Sequence, residues 1–235
     1  MLYKVVKFTT LGAPKLICLT MLKEVAWAED RTYHTDGDYK PLQFYLDALQ
    51  KSKHLDLLLG YFSSAAISVL SPGFAKFLST GGTVRLIVNN ILSDKDKETV
   101  KKGLEIGDSS LVYDITDINR LKETLDEYGA HFFECLAWLI ANRRIQIKIV
   151  KPKSGKGISH YKSGVFSDGT DQVCFKGSCN FTAYGLLENL EEITTFLSWE
   201  DSRSALEVNN QNKRFEKIFQ GKAENVEFVD PDNIQ

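Results

Sequence analysis

The chain has 235 residues, 43% of them hydrophobic and 26% charged, a composition that excludes disordered, collagen-like and membrane-embedded proteins. Its 29 basic and 31 acidic residues leave a net charge of −2, so any nucleic-acid footprint has to come from local clustering and not from bulk charge. Cys18, Cys135, Cys174 and Cys179 show neither C-x-x-C pairing nor a Cys/His ligand spacing, which argues against a zinc module or a disulfide framework and for a reducing, cytoplasmic setting.

Residues 1–40 have no clean period and are expected to be an extension packed on the domain. Lys4 and Lys7 precede an apolar stretch that Lys15 and Lys23 cut to seven residues, at the short end for a signal segment. The longest apolar runs, such as 16–22 and 137–141, fall far short of the roughly 18 to 20 residues of a membrane span, so no membrane partner is expected. Pro41 opens a helix-like stretch over 42–49. Residues 55–62 are apolar except at Asp56, the pattern of a strand buried on both faces. Two short helices follow at 65–70 and 74–78, with Pro72 at the second start and Gly81-Gly82 as the stop. A strand is expected at 84–88.

Ser93, with Asp96 three residues on, resembles a capping box and opens a charged helix to about Leu104. Residues 107–128 are polar and weakly patterned, an excursion carrying a short helix. A strong amphipathic helix is predicted over 131–143, and Ile145, Ile147 and Ile149 alternate as a strand. Strands at about 159–167 and 172–178 are joined by Ser167-Asp168-Gly169-Thr170-Asp171, whose Asp-Gly is hairpin chemistry, so this pair is antiparallel and the sheet mixed. A strand at 193–199 and a helix at 202–219 complete the domain, assigned to 41–220. The acidic tail, 221–235, reads as a patternless end or a linker to a following domain. The layering predicts an α/β/α sandwich with a mixed β-sheet.

The chemistry concentrates in Ser159-His160-Tyr161-Lys162-Ser163-Gly164, Lys176-Gly177-Ser178-Cys179-Asn180 and Gly185-Leu186-Leu187-Glu188-Asn189-Leu190-Glu191-Glu192. Alternation puts His160 and Lys162 on one face of a strand, and the hairpin brings Ser178 and Asn180 near them. One imidazole with an ammonium, a hydroxyl and an amide makes a poor metal site and a good phosphate site. No metal and no cofactor is implied. Taken singly, each residue has an ordinary alternative: His160 a surface histidine, Gly177 a bulge, and Glu188 or Glu192 a substitute for Glu191 on a solvated run.

The H-x-K strand, the G-S-x-N segment and the G-L-x-x-N-x-E run together resemble the catalytic motif of the phospholipase D superfamily, especially its nuclease branch. The resemblance spans about 55–199 and implies a single phospholipase D-like repeat. It further implies that His160 becomes phosphorylated, that Lys162, Ser178 and Asn180 hold the phosphate, and that Glu191 supports an imidazole. The family's aspartate usually follows the lysine after four residues; here five separate Lys162 from Asp168, and Ser167 takes the expected place.

Arg143, Arg144, Lys148, Lys151, Lys153, Lys156 and Lys162 fall in a stretch without one acidic side chain, a local basic footprint. Lys148, Lys151, Lys153 and Lys156 are therefore expected to contact substrate, and Tyr61 and Phe62 to line the same cleft. The reading is a metal-independent DNA endonuclease acting through a covalent phosphohistidine. The family mechanism uses two motif histidines, but His34, His54 and His131 lack the lysine two residues on, which implies a homodimer. Similar domains open bacterial restriction and helicase-type polypeptides, so such a module is an expected context. The rivals are a noncatalytic dimerising DNA-binding module and a phospholipase or phosphatidyl transferase.

Overall fold

In the computed structural model, which describes residues 21–105 and 115–233, sixteen helices and strands alternate along the chain. In order they are β1 (Thr32–His34), α1 (Pro41–Lys51), β2 (His54–Leu59), α2 (Ala65–Val69), α3 (Ser71–Ser79), β3 (Thr83–Asn89), α4 (Asp94–Glu105) and α5 (Ile118–Asp126). Then come α6 (Ala130–Ala141), β4 (Ile145–Pro152), β5 (Lys162–Ser167), β6 (Gln172–Gly177), α7 (Ala183–Leu187), β7 (Glu192–Leu197), α8 (Ser202–Phe219) and β8 (Val226–Phe228). The strands form one mixed sheet in the order β1-β7-β6-β5-β2-β3-β4-β8.

β2, β3 and β4 run parallel, and β5, β6 and β7 follow as antiparallel neighbours on the other side of β2. Both faces of the sheet are covered, which is why β2 is almost wholly apolar. Helices α1 to α7 supply the larger core on one face, where Phe44 and Tyr45 of α1 meet Phe166 and Phe175 edge-on. Helix α8 covers the other face: Phe215 and Ile218 pack on Leu58, Ile87 and Val150, and Val208 packs on Val165 and Cys174. Asp56, polar in the middle of β2, points to this second face and takes Arg85 through two bonds of 2.7 and 2.6 Å. Burial nevertheless raises its carboxyl above the ordinary range, and a second carboxylate, Glu216, reaches the same guanidinium at 2.7 Å.

Several expectations need revision. The patternless ends both contribute strands: β1 pairs with β7, and β8 pairs with β4, so the sheet takes in residues on either side of 41–220. Three-residue strands are too short to show a period. The strand expected from 159 begins only at Lys162, with His160 just ahead of it. The expected capping box forms in altered form. The Asp96 amide donates to the Ser93 hydroxyl at 3.2 Å, whereas the Asp96 carboxylate accepts from that hydroxyl and from the Ser64 amide. Cys135, Cys174 and Cys179 are buried free thiols, pushed by burial up to about 12; Cys18 and the apolar stretch before Leu22 lie outside the described residues, as does 107–114. Among the described residues no helix is long and apolar enough to cross a membrane.

Candidate active site

The three parallel strands end at one edge of the sheet, and there the antiparallel neighbours turn. Leu59 of β2 opposes Lys162 of β5, and the Gly60 amide donates to the Tyr161 carbonyl one step beyond. Gly60 has to be a glycine, because a Cβ there would lie 2.8 Å from the His160 Cα. The backbone of β2 thereby presses directly on the histidine. The next residue, Tyr61, meets the imidazole edge-on, with ring centroids 5.6 Å apart and planes at 86°. Phe62, expected in the cleft, is instead core, stacked on Phe181.

His160 and Lys162 share a face, as alternation requires, and the Lys162 Nζ lies 3.0 Å from the His160 Nε2. An ammonium can only donate, so with Lys162 charged this contact requires a lone pair on Nε2. Desolvation holds the Lys162 amine below the ordinary lysine value, partly countered by the Glu191 carboxylate, which places the acid within electrostatic reach of the pair.

Extending the β5–β6 register one step sets Gly177 opposite Lys162. Gly177 is also required by space, since a Cβ would come within 2.0 Å of the Glu192 carbonyl oxygen. This close approach lets the Ser178 amide donate to that carbonyl at 3.0 Å and the Glu192 amide donate back to the Ser178 Oγ at 3.0 Å. The Ser178 hydroxyl donates in turn to the Glu191 carboxylate in a short bond, and the Asn189 amide donates to the other carboxylate oxygen at 3.1 Å. Within this chain Glu191 therefore holds Ser178 and Asn189, not an imidazole. Asn180, two residues on from Ser178, carries a buried Oδ1 without a partner, a polar atom held at a cost.

The structure thus brings together His160, Lys162 and Tyr61, with Glu191 in electrostatic reach of Lys162 and Ser178 bonded to Glu191, while Asn180 follows Ser178 in the chain with its Oδ1 unpartnered. It does not gather the lysines. The Lys148 ammonium lies over the rings of Phe228 and Phe219, at 5.4 and 5.9 Å, and Lys151 is paired with Glu227 at 2.9 Å. Lys153 joins the β8 connection through its amide, and Lys156 sits exposed in the following turn. Asp168, displaced by one position, is buried and accepts from the amides of Leu22, Thr170 and Asp171 at 2.9, 2.8 and 2.8 Å, closing the hairpin onto the segment before β1.

Two positioning residues escaped the sequence reading. Thr35, just past β1, donates its amide to the Glu191 carbonyl at 3.0 Å and accepts from the Glu191 amide at 2.9 Å. Nothing in the unpatterned first forty residues signals a contact 156 positions away. Arg214, on the exposed side of α8, lies over the ring of Tyr161 at 4.6 Å, and its only sequence mark is a cation in an amphipathic helix. Among the described residues no group of three or more His, Cys, Asp and Glu side chains is arranged to hold a metal ion.

Fold and site together define an α/β protein with a histidine–lysine pair at the end of the central strands of a mixed sheet. Neither a protein-family model nor a curated protein matches the chain. Among solved structures it is similar to NucT from Helicobacter pylori, at 14% identity over 76% of this chain and 87% of that one, with a TM-score of 0.42. It is also similar to Nuc from Salmonella typhimurium, described as a phospholipase D family member, at 12% identity over 84% and 95% of the chains and a TM-score of 0.42. A third similarity is to phosphatidylserine synthase from Haemophilus influenzae Rd KW20, at 13% identity over 86% of this chain and 40% of that one, with a TM-score of 0.48.

Proposed function

We propose that this chain is a metal-independent phosphodiesterase that cleaves DNA through a covalent phosphohistidine in a homodimer. The observation that carries this is the 3.0 Å contact between Lys162 and the His160 Nε2, within electrostatic reach of the Glu191 carboxylate that holds the Ser178 hydroxyl. In the first step Lys162 turns its donors from Nε2 to the non-bridging oxygens of the bound phosphate, the freed Nε2 lone pair attacks phosphorus, and the bond to the leaving oxygen breaks with its electron pair. Lys162 and the amide of Asn180 stand beside the non-bridging oxygens, supplying positive charge and orientation where other nucleases use a divalent ion. The leaving oxygen takes a proton from the partner subunit's His160. Water then attacks phosphorus, gives its proton to the same imidazole, and the P–N bond breaks to restore His160.

The dimer has its own support. Tyr184, Leu187 and Leu190 stand exposed between Asn180 and Glu191, with Tyr184 73% and Leu190 82% accessible. An apolar patch beside a site that needs a second copy of itself suits an isologous contact. Leu190→Glu would set two like charges against each other across the axis. It is expected to give monomers by sedimentation and to lose cleavage, while the melting temperature of the chain stays close to that of the wild type.

The decisive test incubates wild-type protein and His160→Ala with labelled duplex and single-stranded oligonucleotides in excess chelator. Cleavage by the wild type, with an acid-labile, alkali-stable phosphoprotein trapped by a denaturing alkaline quench, supports the reading. No cleavage without magnesium, or undiminished cleavage by His160→Ala, overturns it.

A further inference from the structure

The end of the sheet that carries His160 has a second side. Ser163 and Val165 of β5 meet Gln211 and Val208 of α8, so alternation turns Tyr161 to the α8 face, away from the side shared by His160 and Lys162. There Tyr161 joins the cluster of Leu58, Ile87, Val150 and Phe215. The Arg214 guanidinium covers its ring, and further across the same face Lys148 covers Phe228 and Phe219.

How these cations are held decides what they can do. Arg85 rests on Phe215 and Phe219, at 5.0 and 5.1 Å, but gives its charge to Asp56 and Glu216. Among the described residues no carboxylate lies within ion-pair distance of Arg214 or Lys148. A cation seated on a ring face keeps its net charge and most of its donors. On the opposite flank of the site the groove along β1 and β7 is lined by Asp36, Glu191 and Glu192. An anionic polymer leaving the site meets carboxylates on one side and ring-held, unneutralised cations on the other.

We infer that the α8 face carries the phosphates that flank the scissile one, with Arg214 the first contact beyond the sheet edge and Lys148 the next. This rests on the phosphodiesterase reading for the scissile phosphate and names the substrate class: a nucleic-acid strand with phosphates in series. A glycerophospholipid has one diester and nothing to place on Arg214.

The test uses the full chain with His160→Ala, so that bound strands stay intact, and measures fluorescence anisotropy of a labelled single-stranded oligonucleotide over a salt series. Adding Arg214→Gln is expected to weaken binding about fivefold at low salt and to flatten the slope of log K against log salt by about 0.7, the loss of one phosphate contact. Arg214→Lys keeps the slope. An unchanged slope with Arg214→Gln overturns the inference, as does a loss of binding to phosphatidylglycerol vesicles without one for the oligonucleotide. Thermal melts of each variant show whether the loss comes from unfolding, in which case Lys148→Gln must flatten the slope instead or the inference falls. Wild-type cleavage with no change at Arg214 sinks this inference alone. A flattened slope in a protein that cleaves nothing sinks the phosphohistidine reading alone.

Discussion

The two halves of one sheet edge use positive charge in opposite ways. From β5 to β1, Lys176 is neutralised by Glu207 at 2.6 Å, while Lys162 is fixed against a histidine at 3.0 Å and its acidic neighbour is spent on holding Ser178 and Asn189. From β3 to β8 the lysines are numerous, yet one is neutralised by Glu227, one lies on aromatic rings and one stands free in a turn. The difference teaches that a basic run in sequence reports charge but not its disposition. What a cation does depends on the partner that folding gives it, and only the half tied into a hydrogen-bond network has the fixed geometry that bond-making needs.

The sharpest way to break this comparison is at the histidine. His160→Ala is expected to lower cleavage by at least about 10³-fold, because it removes the nucleophile and with it the route. The side chain is exposed, so the melting temperature should stay within a degree or two. Loss of any one of the β4-loop lysines is expected to leave most of the rate. If single lysine variants match His160→Ala, the distinction between the two halves fails.

Gly177→Ala tests whether the half that carries His160 and Lys162 is held by close backbone contact. An added Cβ at 2.0 Å from the Glu192 oxygen forces β6 and β7 apart and carries Ser178 and Glu191 with them. Overpacking of this kind costs about 1 to 3 kcal/mol, read as a shift of the denaturant midpoint, and cleavage should fall further than stability alone explains. A variant with wild-type stability would show that the two strands have slack.

The extent to which all this was legible in the sequence follows from the range over which each signal acts. Local and periodic features read well: α8 occupies 202–219 as expected, the Asp-Gly hairpin sets β5 against β6, and the capping serine opens α4. The His160–Lys162 pair read well because both its members lie on one short segment. Features made by long-range contact did not. β1 and β8 are ordered by the strands they join, the Glu191 carboxylate is directed by a serine 13 positions away and by Asn189, and Thr35 reaches its partner across most of the chain. Lys151 looked free because Glu227, which neutralises it, belongs to a tail without pattern.

Lys162 also gives the comparison a pH signature. Desolvation lowers its pKa from the ordinary 10.5, so the folded state releases the proton before the unfolded chain does. Between the lowered value and 10.5 the unfolded state binds more protons, and this group's contribution to stability rises with pH. Cleavage runs the other way, because the neutral amine no longer neutralises phosphate oxygens. The alkaline limb of the pH–rate profile is therefore expected below pH 10.5, and Lys162→Arg should move it out of range, since a guanidinium keeps its proton. A limb at 10.5, or one indifferent to Lys162→Arg, would assign it to another group.

The smallest effect belongs to the other half and isolates it most cleanly. Lys151 and Glu227 are both about half exposed, so their pairing is worth at most about 1 kcal/mol to the fold, but it cancels one positive charge near the nucleic-acid path proposed above. Glu227→Gln removes the carboxylate, keeps the shape and returns the charge of Lys151 to solvent. Oligonucleotide affinity in the His160→Ala background should rise about twofold at low salt, and the gain should vanish by about 1 M, where screening acts over a few ångströms. The same substitution made with Lys151→Gln should give no gain. An equal gain with and without Lys151 would mean that Glu227 repels the strand directly, so that the neutralising pair is not what silences this lysine.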